Sequence, residues 1–389
     1  MTERLYYSDS YLRRFRATVV SCDGAGRVSL DRTAFYPDSG GQPHDEGTLG
    51  GLKVVDVIDE DERIVHVVEG ELAAGAQVDG VIDWTRRFDH MQQHSGQHLL
   101  SAVFEELFGY KTLSFHMGAE ASTIDLSAES LEPGQVKAAE ERVNGLVCEN
   151  RPLAVSFEDA AGAQGLRKES GRSGLLRIVT IDGCDRSACG GTHVRATGEI
   201  GPVILRKVER VRGTARLEFV CGLRAVRRVR AEYAALSAVA RLFSASPEET
   251  PALVAALQEQ AKETDKARRK LALEAAGFRG KTLYEECAAD ARGRRTYTER
   301  RAAGALDEEA RAVALSFCAQ PQAVYIAASA NPPSVMLVVS ADSGLHAGNV
   351  LKEALAQAGG RGGGSAQAAQ GSLPSAEAVE AVLGRLAQR

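Results

Sequence analysis

No stretch of this sequence approaches the roughly 18 consecutive apolar residues of a membrane-spanning helix. No apolar targeting run follows Met1-Thr2-Glu3-Arg4-Leu5-Tyr6-Tyr7 either. A cytoplasmic protein is therefore expected. Cysteine is sparse and unpatterned: seven residues, an odd number without framework spacing, point to free thiols in a reducing compartment. Net charge is only -5 at pH 7, so any contact with nucleic acid has to come from local basic patches. Several familiar motifs are also missing. Ser95, not Glu, follows His94, which excludes the zincin protease pattern. The loop Pro37-Asp38-Ser39-Gly40-Gly41-Gln42-Pro43 lacks the Gly-Lys-Ser/Thr ending of a phosphate loop. Cys184 and Cys189 have four residues between them, where a redox pair has two.

What is there is the composition of a soluble globular protein, 44% hydrophobic and 25% charged. A length of 389 residues is too great for one ordinary core and predicts two to four units. Short alternating runs at 15–20, 28–30, 52–58 and 64–68, broken by Asp23-Gly24, Gly50-Gly51 and Gly70, read as a small antiparallel β-barrel over residues 1–85. The glycines of the 37–43 loop suit a hairpin connection. Residues 86–108 carry an apolar helical stripe with Gly109 as a stop. Alternating runs at 112–117 and 123–126, a helix over 129–149 entered through Pro133 and Gly134, and strands near 175–180, 203–208 and 215–220 predict a two-layer α+β core over 86–224.

From residue 225 the chain turns helical. Val226, Val229, Tyr233, Leu236, Ala240 and Phe243 alternate three-four like a coiled-coil seam, Pro247 and Pro251 break it, and a second helix is expected to about 278. Such a hairpin over 225–279 reads as a spacer or a dimer seam. The last unit, 280–389, shows strands at 323–328 and 335–340 and helices at 307–317 and 349–357. Its glycine-rich run at 359–371 has the composition of a flexible linker.

Two short stretches carry metal-binding chemistry. His94 and His98 are four apart on the predicted helix, so both imidazoles leave one face. Cys189 and His193 repeat the spacing around Gly190 and Gly191, which favour a tight turn. One cysteine and three histidines make a tetrahedral zinc site. A core histidine pair is the bland alternative, and His90, four residues before His94, competes for its role.

A basic run follows. Arg206, Lys207, Arg210, Arg212, Arg216, Arg224, Arg227, Arg228 and Arg230 fall within 25 residues, with Glu209 and Glu218 the only acids among them. A solvated face is the usual reading of such a run. This density looks more like a track for backbone phosphates.

His94-x3-His98 with Cys189-Gly-Gly-Thr-His193 resembles the editing core shared by alanyl-tRNA synthetases and free-standing alanyl-tRNA editing proteins. The resemblance extends upstream to Phe35-Tyr36-Pro37-Asp38-Ser39-Gly40-Gly41-Gln42-Pro43-His44-Asp45 and downstream to the glycine-rich segment, nearly the whole chain. It implies hydrolysis of the ester that joins a wrong amino acid, serine first and glycine second, to tRNA(Ala). His94, His98, Cys189 and His193 would be both metal ligands and catalytic residues. It implies that Gly40, Gly41 and Gln42 lie against the site and help exclude alanine, and that Thr112, Ser114 or His116, Ser114 first, read the side chain. It makes residues 280–389 a DHHA-type domain associated with tRNA contact and oligomerisation, where Arg361 and the amides of Gly362 to Gly364 would suit phosphate oxygens. A homodimer through the hairpin or this domain is open. No motif of the class II aminoacylation domain stands out, which weighs against an alanine ligase. A non-catalytic zinc-stabilised tRNA adaptor is the competing class.

Overall fold

The computed structural model describes residues 1–168, 171 and 173–387. The chain divides into two compact units, Met1–Val239 and Ala240–Arg389. Among the described residues there are seven α-helices and several sheets, and no helix is long and apolar enough to cross a membrane.

The first unit begins with a two-residue strand, β1 (Glu3–Arg4), and continues through β2 (Arg14–Cys22), β3 (Arg27–Leu30), β4 (Arg32–Thr33), β5 (Gly47–Leu49), β6 (Leu52–Glu60), β7 (Arg63–Val68) and β8 (Gln77–Ile82). β1 pairs with β4 in parallel. The other six strands pair in a closed antiparallel ring, in the order β2-β3-β7-β6-β5-β8 and back to β2. Alternation puts Val19, Leu30, Leu49, Val57, Ile64 and Val78 inside it, all buried.

Helix α1 (Trp84–Phe108) follows. Asp83 caps it by accepting from the amides of Thr85 and Arg86, and Gly109 ends it in the left-handed region at φ 70°. Almost every residue from Arg87 to Phe104 is buried, so the polar side chains of this helix point into protein and need partners there. β9 (Thr112–Met117), β10 (Ser122–Leu126), α2 (Pro133–Cys148), β11 (Leu153–Asp159), β12 (Leu175–Ile181), β13 (Asp185–Ala188), β14 (Val203–Val211) and β15 (Thr214–Cys221) complete the unit. The strands expected in one two-layer core fall into two sheets, a four-stranded β14-β15-β10-β9 and a three-stranded β11-β12-β13. Leu99, Val103 and Phe104 of α1 share a core with Val143 and Leu146 of α2 and with Ile124 and Leu217 of the larger sheet. Helix α3 (Gly222–Leu242) contains the division between the units, at Val239 and Ala240.

The second unit holds α4 (Thr250–Glu286), β16 (Arg295–Arg301), α5 (Glu308–Cys318), β17 (Ala323–Ala330), β18 (Pro333–Val339), α6 (Ala347–Gln357), β19 (Arg361–Gly364), β20 (Ala368–Ser372) and α7 (Ala376–Leu386). Its sheet runs β16-β17-β18-β20-β19. Tyr325, Ala327 and Met336 face Phe317 and Val313 of α5, while Ile326, Val335 and Leu337 face Leu351, Val382 and Leu383 of α6 and α7. Burial on both faces is why these strands read as continuous apolar runs.

Two expectations change here. Helix α4 does not stop near 278 but runs to Glu286. Gly280 lies inside it because a Cβ there would sit 2.5 Å from the Val313 carbonyl oxygen, so the glycine is a helix-packing contact and the division expected at 279/280 falls within a helix. The run at 359–371 is not a flexible linker: it forms the β19–β20 hairpin, where a Cβ on Gly362 or Gly371 would meet backbone of the facing strand or Leu355 of α6.

Candidate metal centre

His94 and His98 leave α1 on one face, and the turn after β13 brings Cys189 and His193 against them. The four donor atoms lie within 4.8 Å of one another. Cys189 Sγ is 3.4 Å from His94 Nε2 and 3.3 Å from His193 Nε2. Tetrahedral bonds of ordinary zinc–sulfur and zinc–nitrogen length set these edges at about 3.6 Å. The cluster therefore has room for such an ion with shifts of a few tenths of an ångström. His90, the competitor, is buried outside this group, and its Nδ1 meets no partner among the described residues.

The far side of each imidazole is also occupied. His94 Nδ1 lies 2.8 Å from Gln42 Oε1, His98 Nδ1 2.8 Å from Asp185 Oδ2, and His193 Nδ1 3.1 Å from Ser95 Oγ. Gln42 Nε2 donates to Thr192 Oγ1, and its Oε1 also accepts from the Thr192 amide, so the oxygen faces His94. That holds the His94 proton on Nδ1 and turns the Nε2 lone pair to the cluster, the usual outer support of a metal-binding histidine. Asp185 is steadied in turn by Arg167 and Ser187.

Electrostatics agree with the donor set. Burial pushes the Cys189 thiol up, but the surrounding imidazoles of His94, His193 and His98 outweigh it and hold the thiol well below its ordinary range. Burial works against a charged His98, yet Cys189 and Asp185 raise it to about 9. His193 is lowered to about 3 by burial and by His94. A thiolate among imidazoles braced from behind fits a borderline-soft divalent cation. Four protein donors make a closed set.

The glycines of both motifs stand where chains come too close for side chains. A Cβ on Gly191 would lie 2.1 Å from His94 Cε1. Gly41, at φ 83°, presses against β9, where a Cβ would sit 2.8 Å from the Phe115 carbonyl oxygen, and its own carbonyl accepts from the Met117 amide. Gly40 has open space around it. Phe115 stacks on His94 with ring centroids 5.6 Å apart. The loop, β9 and His94 thus form one wall.

The candidates on β9 separate. A register shift at Leu113 pairs Thr112 with Leu126, Phe115 with Ile124 and Met117 with Ser122, all on the buried side, while Ser114 pairs with Asp125 and His116 with Thr123 on the other. Thr112 donates to Ser101 Oγ over 2.6 Å, and Ser101 lies seven residues after His94 on the same helical face. Gln97 Nε2 donates to the same Ser101 oxygen. Ser114 instead bonds Asp125, which Arg216 grips with two nitrogens, and His116 is exposed. The structure does not bring Ser114 and His116 to the cluster.

The basic run pairs with its own two acids and with others from outside its 25 residues. Arg206 pairs with Glu218 and Glu232, Lys207 with Glu209, Arg210 with Glu129, Arg224 with Asp89 and Arg228 with Glu232. Arg227 stays largely exposed, 3.9 Å from Asp89. Arg212 sits at a left-handed turn, φ 50°, and with Arg230 carries no ion pair among the described residues. Arg361 opens the exposed edge strand β19 of the second unit.

Family profiles match along the chain: residues 176–217 match the threonyl and alanyl tRNA synthetase second additional domain, and 299–389 the DHHA1 domain. Residues 13–86, which contain the barrel, match class II (A) tRNA synthetases, a likeness the residues alone did not announce. An alanyl-tRNA editing protein, Aarsd1 of Danio rerio, is 33% identical over 282 residues, covering 67% of this chain and 68% of its own. The chain belongs to the alanyl-tRNA editing proteins. The editing protein AlaX-L of Pyrococcus horikoshii is 36% identical over 241 residues, 58% of this chain and 59% of its own. The alanine–tRNA ligase of Pyrobaculum calidifontis is 35% identical over 399 aligned residues, 95% of this chain but 42% of the ligase. For a member of the editing family, the supporting groups that the sequence did not reveal are Ser95, Asp185, Arg167 and Phe115. They are single polar or aromatic residues without a spacing signature.

Proposed function

We propose that the chain hydrolyses the ester of mischarged Ser-tRNA(Ala), and secondarily of Gly-tRNA(Ala), while sparing Ala-tRNA(Ala). The observation that carries this reading is a cysteine–imidazole cluster whose two α1 histidines share their helical face with Ser101, to which Thr112 of β9 donates. A pocket that hydrogen-bonds the serine hydroxyl rejects alanine far more strongly than an apolar pocket could. Ser101 Oγ already accepts from Thr112 and Gln97, so its own proton is free to turn toward an incoming hydroxyl. Gln42, expected at the substrate, acts behind His94 instead. Gly41 lets the loop close against β9, and Gly40 keeps open space beside it.

His94, His98, Cys189 and His193 would hold zinc. When bound, zinc supplies Lewis-acid character or an anchor for the ester. The chain's own groups orient the substrate: Phe115 and the glycine loop exclude bulk water from one side, and Thr112 with Ser101 fixes the side chain. We assign the barrel (1–85) and core (86–224) to this work, the helical segment 225–279 to spacing, and residues 280–389 to tRNA contact. Arg212, Arg227, Arg230 and Arg361 are the freest cations for phosphates; Arg206, Lys207, Arg210 and Arg228 would have to exchange their acids. The exposed Val226, Val229, Tyr233 and Leu236 on α3 support a homodimer seam.

The closed donor set favours a second reading, a zinc-stabilised tRNA adaptor without turnover. Release of labelled amino acid from Ser-, Gly- and Ala-tRNA(Ala) separates the two. Editing predicts release from the first two alone, and tight tRNA binding with no release from any supports the adaptor.

A further inference from the structure

Among the described residues three arginines are less than nine per cent exposed, Arg87, Arg177 and Arg224. Arg87 is clamped by Asp45 and Arg224 by Asp89. Arg177, on β12 and 7% exposed, has no carboxylate partner among the described residues. Its Nε donates to the Tyr7 carbonyl over 3.0 Å and its Nη1 to the Cys189 carbonyl over 2.7 Å, and Nη2 meets no acceptor among the described residues. The one anion near it is the Cys189 side chain, whose charge the surrounding imidazoles already share, so the buried Nη2 is left for a further anionic group.

The surroundings say what kind of anion. Tyr7 lies with its ring 5.6 Å from the guanidinium carbons of both Arg177 and Arg4. Tyr6 packs edge-on against it, ring centroids 5.0 Å apart, and the buried Tyr6 hydroxyl has Arg4 near it but makes no well-formed hydrogen bond among the described residues. A Cβ on Gly190 would lie 3.6 Å from the Tyr7 hydroxyl, so this group stands against the turn that carries Cys189 and His193. Tyr7 is half-buried and forms its surface side. Cation, phenol and aromatic face beside a reaction centre are the elements that hold a nucleotide by its phosphate and base.

We infer that Arg177, with Tyr6 and Tyr7, forms a subsite that receives the phosphodiester of the substrate's 3′-terminal nucleotide and so delivers the ester to the cluster. The inference rests on the editing reading and extends it to the nucleotide that bears the ester. Arg177 Nη2 and the Tyr6 hydroxyl donate to the phosphate oxygens, and Tyr7 offers its face to the sugar or base.

The test compares two small esters, 3′-O-seryl-adenosine and 3′-O-seryl-adenosine 5′-monophosphate, with Ser-tRNA(Ala) hydrolysed in parallel. A charge-assisted bond at the phosphate lowers KM for the phosphorylated ester by about ten- to a hundredfold in the wild type. In Arg177→Met the ratio of the two KM values collapses to about one, whatever activity both esters lose together, and in Tyr6→Phe it shrinks in part. Using a ratio keeps the readout independent of partial misfolding, and the wild-type comparison needs no variant. Equal KM values in the wild type, a ratio untouched by Arg177→Met, or hydrolysis of Ser-tRNA(Ala) with neither small ester accepted would each overturn the subsite. Failure on Ser-tRNA(Ala) itself would remove the editing reading and the inference with it.

Discussion

Gln42 Oε1 lies 2.8 Å from His94 Nδ1, joining a barrel loop to the helix of the His–Cys cluster across 52 residues of sequence. The same amide bonds Thr192, next to His193, so one side chain orients both halves of the cluster. The account assigns it to holding the metal rather than reading the amino acid. Gln42→Ala is expected to weaken metal binding by about ten- to a hundredfold, measured by chelator competition. Unchanged affinity with altered serine-against-alanine discrimination would return Gln42 to the substrate pocket.

Thr112 and Ser114 are two residues apart and the shift at Leu113 sends them to different environments. Thr112→Val should lower single-turnover deacylation of Ser-tRNA(Ala) by about tenfold or more, the loss of one buried hydrogen bond. Ser114→Ala should stay near the wild type. The opposite ranking would mean that the exposed face of β9 meets the substrate.

The buried pair Arg87–Asp45 ties the end of the glycine loop to α1, with Arg87 also donating to the Ser10 and Ala34 carbonyls. Asp45→Ala leaves a buried guanidinium without its partner and should destabilise the first unit by about 3–5 kcal/mol. The only tryptophan, Trp84, lies in that unit, so its fluorescence during urea unfolding reports the loss. A shift under 1 kcal/mol would contradict the clamp.

These outcomes bear on how much the sequence disclosed. The helical spacing of His94 and His98, the Cys189 turn and the alternating barrel strands were legible because each follows a local period. The different surroundings of Ser114 and Thr112 were not legible, because one extra residue at Leu113 changes which side chains face the helix and nothing in the alternation marks it. The basic run looked unpaired because Asp89, Asp125 and Glu129 arrive from distant elements. Gly280 stood at an expected unit boundary and the 359–371 glycines read as a linker, whereas close packing, visible only in three dimensions, explains them.

His66 gives a pH dependence away from the metal. It is fully buried in the barrel, its Nδ1 donating to the Val28 carbonyl and its Nε2 accepting from Thr33, and burial lowers it from 6.5 to about 4. Above the unfolded value both states are neutral and His66 adds no slope. As pH falls from 6.5 toward 4 the unfolded chain takes a proton that the folded chain refuses, so stability drops by up to about 3 kcal/mol. Urea titrations between those limits should show a shallower fall for His66→Gln. Parallel curves would mean that His66 charges within the fold.

The most direct test of the central claim is single-turnover release of serine from Ser-tRNA(Ala), with Ala-tRNA(Ala) beside it, by the wild type and by Cys189→Ala/His193→Ala. The account predicts release from the serine ester alone and its loss in the double variant. Equal release by the double variant, or release of alanine at the same rate as serine, would contradict it.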